Sequence, residues 1–412
     1  MANFTQNWMS YIDDKLKLSA LTIPGTHDTG TSGLSGLHQC QSMTLEQQLD
    51  SGIRFLDIRL RLIGNRFEVW HGGSAFGKSA ELEFEEDILK ICKTFLKDHP
   101  SEVLVMSIKH ELNGPSDNEK TTFLEKIFDI INNAGVFYTH DKIPSLQEVR
   151  GKIILFRRFW ARATGYPTGM DLTYHWPKNS TEHWENPASK ISYSVQDEYN
   201  SIPLESDIPR KFNNFVQPLL DESPNLGNRL IMNFTSGVIS GGGVLWLTPK
   251  KVAKVTNQKL LQYIKNKKGR YGIIPMDFPE EPGGLIRELI KTNFNWFRNK
   301  DTGWIGLYFW GESHHVPDMN VAKALFGEKF ENKIPNLDEQ FPNEGVPLIN
   351  GRIVKFDSNP ALYLNYEISG EPRSVLRHIS NPEVQARYGL NGEIVKLTDD
   401  GKGKFRLDTA LT

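Results

Sequence analysis

Over the first 300 residues, short apolar runs alternate with longer amphipathic stretches, and that alternation limits the possible folds more than any other feature of the chain. The runs ALTIPG, IRFLDIRL, EVLVMSIK, KIILFRRF, ISYSVQ, RLIMNFT and YGIIPMDF are brief and β-branched, so each reads as a strand. Between several of them the pattern takes on a helical period. In ELEFEEDILKICKTFLKDHP, residues Phe84, Ile88, Ile91 and Phe95 share one face, and Pro100 stops the pattern. EKTTFLEKIFDIINNAG, KKVAKVTNQKLLQYIKNKKG and GGLIRELIKTNFNWF read likewise. Seven or eight strands alternating with helices predict an α/β fold, an irregular (β/α)8 TIM barrel. An open doubly wound sheet competes with it, but no G-x-G-x-x-G opens a helix here.

A barrel does not use up 412 residues, and the pattern changes over 298–318. The expected division is 1–300 for the barrel and 301–412 for a smaller, strand-rich α+β domain. With 38% apolar residues there is material for a sizeable core, and a net charge of −2 argues against a nucleic-acid partner. No run of 18 apolar residues is available to span a membrane. The opening MANFTQNWMSYIDD has neither a basic nor an apolar leader segment, as expected for the mature form of a secreted chain. Cys40 and Cys92 fit no metal spacing. A single disulfide between them stays open beside the reading of two separate thiols.

In a parallel barrel, reactive groups come from the C-terminal ends of different strands. Here those ends carry His27 and Asp28, then Asp57 and Arg59, Lys109 and Glu111, Arg157 and Arg158, Asp197 and Tyr199, and Asp277; FEVWHGG ends at His71. Singly these are caps, solvated strand ends or structural ion pairs. Together they place two histidines, an arginine and orienting carboxylates at one end of apolar strands. That set suits displacement at phosphorus: one imidazole as base, one as acid, and a guanidinium against the phosphate oxygens.

The segments LTIPGTHDTGT, QQLDSGIRFLDIRLRL, FEVWHGG, FLKDHPSEVLVMSIKHE, GKIILFRRF, YSVQDEY, IMNFTS and IIPMDF occur in the order found in bacterial phosphatidylinositol-specific phospholipase C, which the chain resembles over residues 10 to 297. The resemblance implies cleavage of phosphatidylinositol to diacylglycerol and inositol 1,2-cyclic phosphate. It implies His27 as general base oriented by Asp277, His71 as general acid supported by Asp28, and Arg59 as phosphate clamp with Asp57 beside it. Lys109, Glu111, Arg158, Asp197 and Tyr199 match the inositol-binding positions. Arg59 stands where calcium-dependent relatives hold a metal, so no metal and no cofactor are expected. Two alternatives remain: a related phosphodiesterase acting on another lipid headgroup, and a catalytically dead phosphoinositide-binding barrel.

The expected partner is phosphatidylinositol in a membrane, met peripherally and transiently by a monomer, with GPI-anchored substrates left open. SGGGVLWLTP would supply the membrane contact through Leu245, Trp246 and Leu247. The segment LRHISNPEVQARYGL resembles a small module appended to bacterial extracellular proteins, its role open between packing and glycan or surface binding. His314 and His315 are adjacent and cannot easily face one ion.

Overall fold

The computed structural model describes residues 4–411 except 73–76, 113, 162–168, 174, 201, 227, 239–247, 268, 300–301, 310–311, 333, 338–347, 368–372 and 398–404. Leu245, Trp246 and Leu247 lie outside the described residues. The chain divides into two compact units, one of Met1–Met9 and Lys17–Thr292, the other of Ser10–Leu16 and Asn293–Thr412. The division thus falls before residue 300, and a short N-terminal piece belongs with the second unit.

In the first unit the strands run in the order Ile153–Arg158, Leu104–His110, Phe55–Ile63, Thr22–Thr26, Gly272–Met276, Leu230–Asn233, Ser192–Gln196, all parallel. Each coincides with a run read as a strand from the sequence. Their near-continuous apolar character follows from burial on both faces. Among the described residues no ladder joins Ile153–Arg158 to Ser192–Gln196, so the barrel is open at that seam. Thr181–Glu185 pairs antiparallel outside Ser192–Gln196, while Phe137–Tyr138 and Met170–Asp171 flank Ile153–Arg158. This is the irregular TIM barrel expected.

Two local readings are corrected. The stretch from Glu81 does not begin as helix: Lys78–Glu83 is a strand, and helical backbone starts at Phe84. The period-2 pairing with Arg66–His71 claims those residues first. The last helix of the unit is Leu285–Lys291, and Trp296–Asn299 beyond it is a strand. Ile305–Phe309 is a strand of the second unit, and Ile305 and Leu307 join Trp296, Leu325, Ile353 and Leu364 in that unit's own core.

Among the described residues the second unit holds a four-stranded and a five-stranded sheet. Ile349–Phe356 and Asn359–Glu367 form a hairpin, and Ser374–Ile379 leads into helix Pro382–Arg387, capped by Asn381 accepting from the Val384 N–H. His314 and His315 sit on strand Glu312–Val316; His314 is buried and His315 stacks on Trp304. Cys40 and Cys92 are separate, buried thiols.

Candidate active site

The strand Thr22–Thr26 ends at His27, and the chain breaks there because Asp28 takes a left-handed φ of 45°. Next to it, Gly272–Met276 ends the same way: Asp277 is followed by Phe278 at φ 43°. Two neighbouring parallel strands therefore stop in register and turn their terminal side chains into the mouth. Gly25 allows the close approach, since a Cβ there would lie 2.8 Å from the Phe55 ring. Gln41 fixes the turn from below, its amide donating to the His27 and Met276 carbonyls at 2.6 and 2.9 Å.

His71 arrives by another route. It is not the end of a barrel strand. Phe55–Ile63 continues into a hairpin, and Arg66–His71 returns antiparallel with Leu60 opposite Val69. The return brings His71 back to the mouth, where its Nδ1 lies 2.6 Å from Asp28 Oδ2. Asp28 is buried and shared: its Oδ1 takes the Arg59 Nε at 2.8 Å while Oδ2 faces both imidazoles. On the far side His27 Nδ1 is 2.8 Å from Asp277 Oδ1. Arg59 closes the ring, with Nη2 2.8 Å from His27 Nε2 and Nε 3.1 Å from Asp57 Oδ2. Six groups from three strands and one hairpin thus form a single hydrogen-bonded circuit.

The circuit extends to the other predicted residues. Arg158 donates to Asp57 Oδ1 at 3.1 Å, and its guanidinium lies 3.5 Å from the centre of the Trp176 ring. The Trp176 indole donates to Asp197 Oδ2 at 2.8 Å. Lys109 Nζ is 2.5 Å from Glu111 Oε2, and Arg59 is 3.9 Å from Glu111 Oε1. Arg157 points away and pairs with Asp171 at 2.5 Å, so only one of the two adjacent arginines belongs to the site. Tyr199 stands apart: the residue is 38% exposed, and its backbone N–H is held by Asn179 Oδ1.

Electrostatics follow from burial and pairing. Burial pulls the His27 pKa down, yet the Asp28 and Asp277 carboxylates prevail and lift it to about 9. Burial would raise Asp28, but Arg59 and the two imidazoles hold it well below the ordinary carboxylate range. Asp57 is lowered against its burial by Arg59 and Arg158. The Arg59 contact at 2.8 Å is a hydrogen bond only when His27 Nε2 carries no proton. With the pKa near 9, the neutral ring, its proton on Nδ1 toward Asp277, is the minor form at neutral pH and the one to which Arg59 can donate. That form is competent as a base, and the carboxylates stabilise the imidazolium it becomes.

Sequence reasoning missed four side chains. Trp176 lies in an aromatic stretch with no period to read. Phe234 follows strand Leu230–Asn233 and meets His27 edge-on at 6.1 Å between ring centres. Cys40 is 4.0 Å from both Asp28 Oδ2 and His71 Nδ1. Lys211 is fully buried, donating to Gln196 Oε1 at 2.8 Å and to the Glu198 carbonyl; burial drives its pKa to about 7 against Asp197 and Glu198. Only Phe234 left a signal, within IMNFTS. No helix among the described residues is long and apolar enough to cross a membrane.

Residues 15–159 match the family model described as phosphatidylinositol-specific phospholipase C, X domain. The chain is 31% identical over 307 residues to the 1-phosphatidylinositol phosphodiesterase of Listeria monocytogenes, spanning 70% of this chain and 85% of that one. It is 30% identical over 307 residues to the enzyme of the same name from Staphylococcus aureus, of which it covers 94%. A crystal structure of the Staphylococcus aureus phosphatidylinositol-specific phospholipase C superposes with a TM-score of 0.61 at 27% identity, over 71% of this chain and 98% of that one. For the Listeria monocytogenes enzyme the TM-score is 0.54 at 28% identity, over 70% and 98%. With its barrel, its strand-end circuit and these relatives, the chain belongs to the bacterial phosphatidylinositol-specific phospholipase C family.

Proposed function

We infer that this chain cleaves phosphatidylinositol to diacylglycerol and inositol 1,2-cyclic phosphate, with slower hydrolysis of the cyclic product. The observation that carries this reading is the circuit Asp277–His27–Arg59–Asp28–His71, two imidazoles and a guanidinium around one opening. His27 Nε2 takes the proton of the inositol 2-hydroxyl, and that oxygen attacks phosphorus. His71, its Nδ1 held by Asp28, protonates the departing glycerol oxygen from Nε2. One proton enters the site and one leaves, so the pair is reset when water runs the second step in reverse order.

Arg59 Nη2 lies 2.8 Å from His27 Nε2. Binding a phosphodiester draws the guanidinium onto its oxygens and frees Nε2 for the hydroxyl. The clamp therefore also unmasks the base, and its fixed positive charge takes the part a metal would otherwise play. Lys109, Glu111, Arg158 and Asp197 offer donors and acceptors to the inositol hydroxyls, and Tyr199 stacks on the ring. The reaction takes place at a membrane surface outside the cell, with the protein a monomer and Leu245, Trp246 and Leu247 as its interfacial contact.

Phosphorus NMR of phosphatidylinositol micelles treated with the protein in excess EDTA tests the reading directly. A cyclic phosphate resonance that forms and then slowly decays is expected. Loss of turnover on chelation would overturn metal independence, and a linear monoester without the cyclic species would overturn the intramolecular attack.

A further inference from the structure

The mechanism above has no use for Cys40, yet its thiol is enclosed by the reacting groups. Its Sγ is 4.0 Å from Asp28 Oδ2 and 4.0 Å from His71 Nδ1, and those two atoms are 2.6 Å apart. One sulfur, one imidazole nitrogen and one carboxylate oxygen thus lie within 4.8 Å of each other. We propose that Cys40, His71 and Asp28 form a binding site for a thiophilic divalent cation of the zinc type, and that the bound ion switches the enzyme off.

The geometry needs little adjustment. Tetrahedral zinc with bonds of ~2.3 Å to sulfur and ~2.0–2.1 Å to nitrogen or oxygen sets sulfur about 3.5 Å from the other donors, and those about 3.3 Å from each other. Cys40 must close in by about half an ångström, and the His71–Asp28 contact must open by somewhat more, judged against the same bond lengths. The three side chains supply three ligands, leaving a fourth position for water, and the His71 side chain is 18% exposed, so the ion enters from the substrate side. A second triad, His27, Cys40 and Asp277, shares the same sulfur. It is less suited, because its imidazole is held on Nε2 by Arg59. Arg59 contacts Asp28 through Oδ1, which leaves Oδ2 for the ion.

Charge also balances. The cation brings two positive charges; the Cys40 thiol and His71 Nδ1 each release a proton. The guanidinium of Arg59 therefore faces no added net charge when His71 enters as imidazolium. Burial first, and then the Asp277 and Asp28 carboxylates, keep the Cys40 thiol protonated in the free protein. Those same carboxylates favour a cation beside the sulfur. Inhibition follows because zinc takes the place of the proton between His71 and Asp28: His71 is then a neutral ligand instead of an acid, and Asp28 no longer orients it.

Metal binding is independent of the proposed reaction, whereas the inhibition rests on it. Cobalt is therefore added to the intact, metal-free protein and the thiolate-to-cobalt absorption band is read, followed by zinc titration calorimetry and phosphatidylinositol turnover with and without zinc. One equivalent should bind with a sulfur band, and zinc should lower turnover relative to the same sample in chelator. Cys40→Ala and Cys40→Ser should each lose the band and weaken zinc binding by ~100-fold or more, while Cys92→Ala should keep both. No sulfur band in the native protein overturns the site, and so does equal zinc inhibition of the native and Cys40→Ala proteins. A protein that binds cobalt through sulfur but never turns over phosphatidylinositol would leave the site standing and remove the proposed reaction.

Discussion

Two arginines, Arg54 just before the strand Phe55–Ile63 and Arg59 in its middle, are built for different purposes. Arg54 has no exposed side-chain surface, and neither has its partner Glu102. Its Nε meets Glu102 at 2.9 Å, and its two terminal nitrogens reach the carbonyls of Leu49, Ile53, Thr5 and Gln6. All five donors are used. Arg59 keeps 14% of its side chain exposed and lies 2.8 Å from His27 Nε2. A charge matched donor for donor closes the bottom of the barrel, and one held by replaceable partners opens its mouth. Burial of an arginine does not reveal its role; whether its partners can be exchanged does.

The sharpest break of that contrast is at the mouth. His27→Ala and His71→Ala should each lower turnover by ~100-fold or more, the range for losing general acid or base help. Their urea midpoints should move far less than that of an Arg54 variant. Near-native turnover in either would remove that residue from the mechanism.

At the bottom the outcome should reverse. Arg54→Met leaves Glu102 charged and buried without its guanidinium, at a cost of ~3–5 kcal/mol in urea unfolding. Turnover per folded molecule should stay at the native value. A loss of turnover without a loss of stability would mean that the two ends are not separate in function.

The mouth should also carry a pH signature that the bottom lacks. His27 titrates near 9 folded and near 6.5 unfolded, so its pKa is raised by folding. Its contribution, about 3 kcal/mol on these values, is fully present below pH 6.5 and is lost as pH rises through 9. NMR of the imidazole should place the midpoint near 9, and Asp277→Asn should lower it. A native midpoint at the ordinary histidine value would contradict the double carboxylate support.

The smallest effect concerns Trp176, which covers Arg158. Trp176→Ala should cost ~0.5–2 kcal/mol in substrate binding, read as a higher KM with kcat little changed. A fall in kcat alone would give Trp176 a part in the reaction itself.

Much of this was legible in the chain. The seven barrel strands coincide with runs read from β-branched content, because strands buried on both faces must be apolar throughout. The strand-end residues were legible too, because polar groups at the ends of such strands have few ways to be satisfied. Three-dimensional contacts decided the rest. His71 reaches the site through an antiparallel return onto Phe55–Ile63, a pairing that FEVWHGG by itself does not encode. The pairing of Ile305–Phe309 with Trp296–Asn299 and Glu312–Val316 depends on strand registry, which no local period encodes. Trp176, Cys40 and Lys211 carry no pattern at all. The sequence by itself determined which residue types stand at the ends of which strands, since local periodicity and burial are short-range. Tertiary structure alone decided which of them share a proton, a guanidinium or a sulfur, since those contacts join residues up to 250 positions apart.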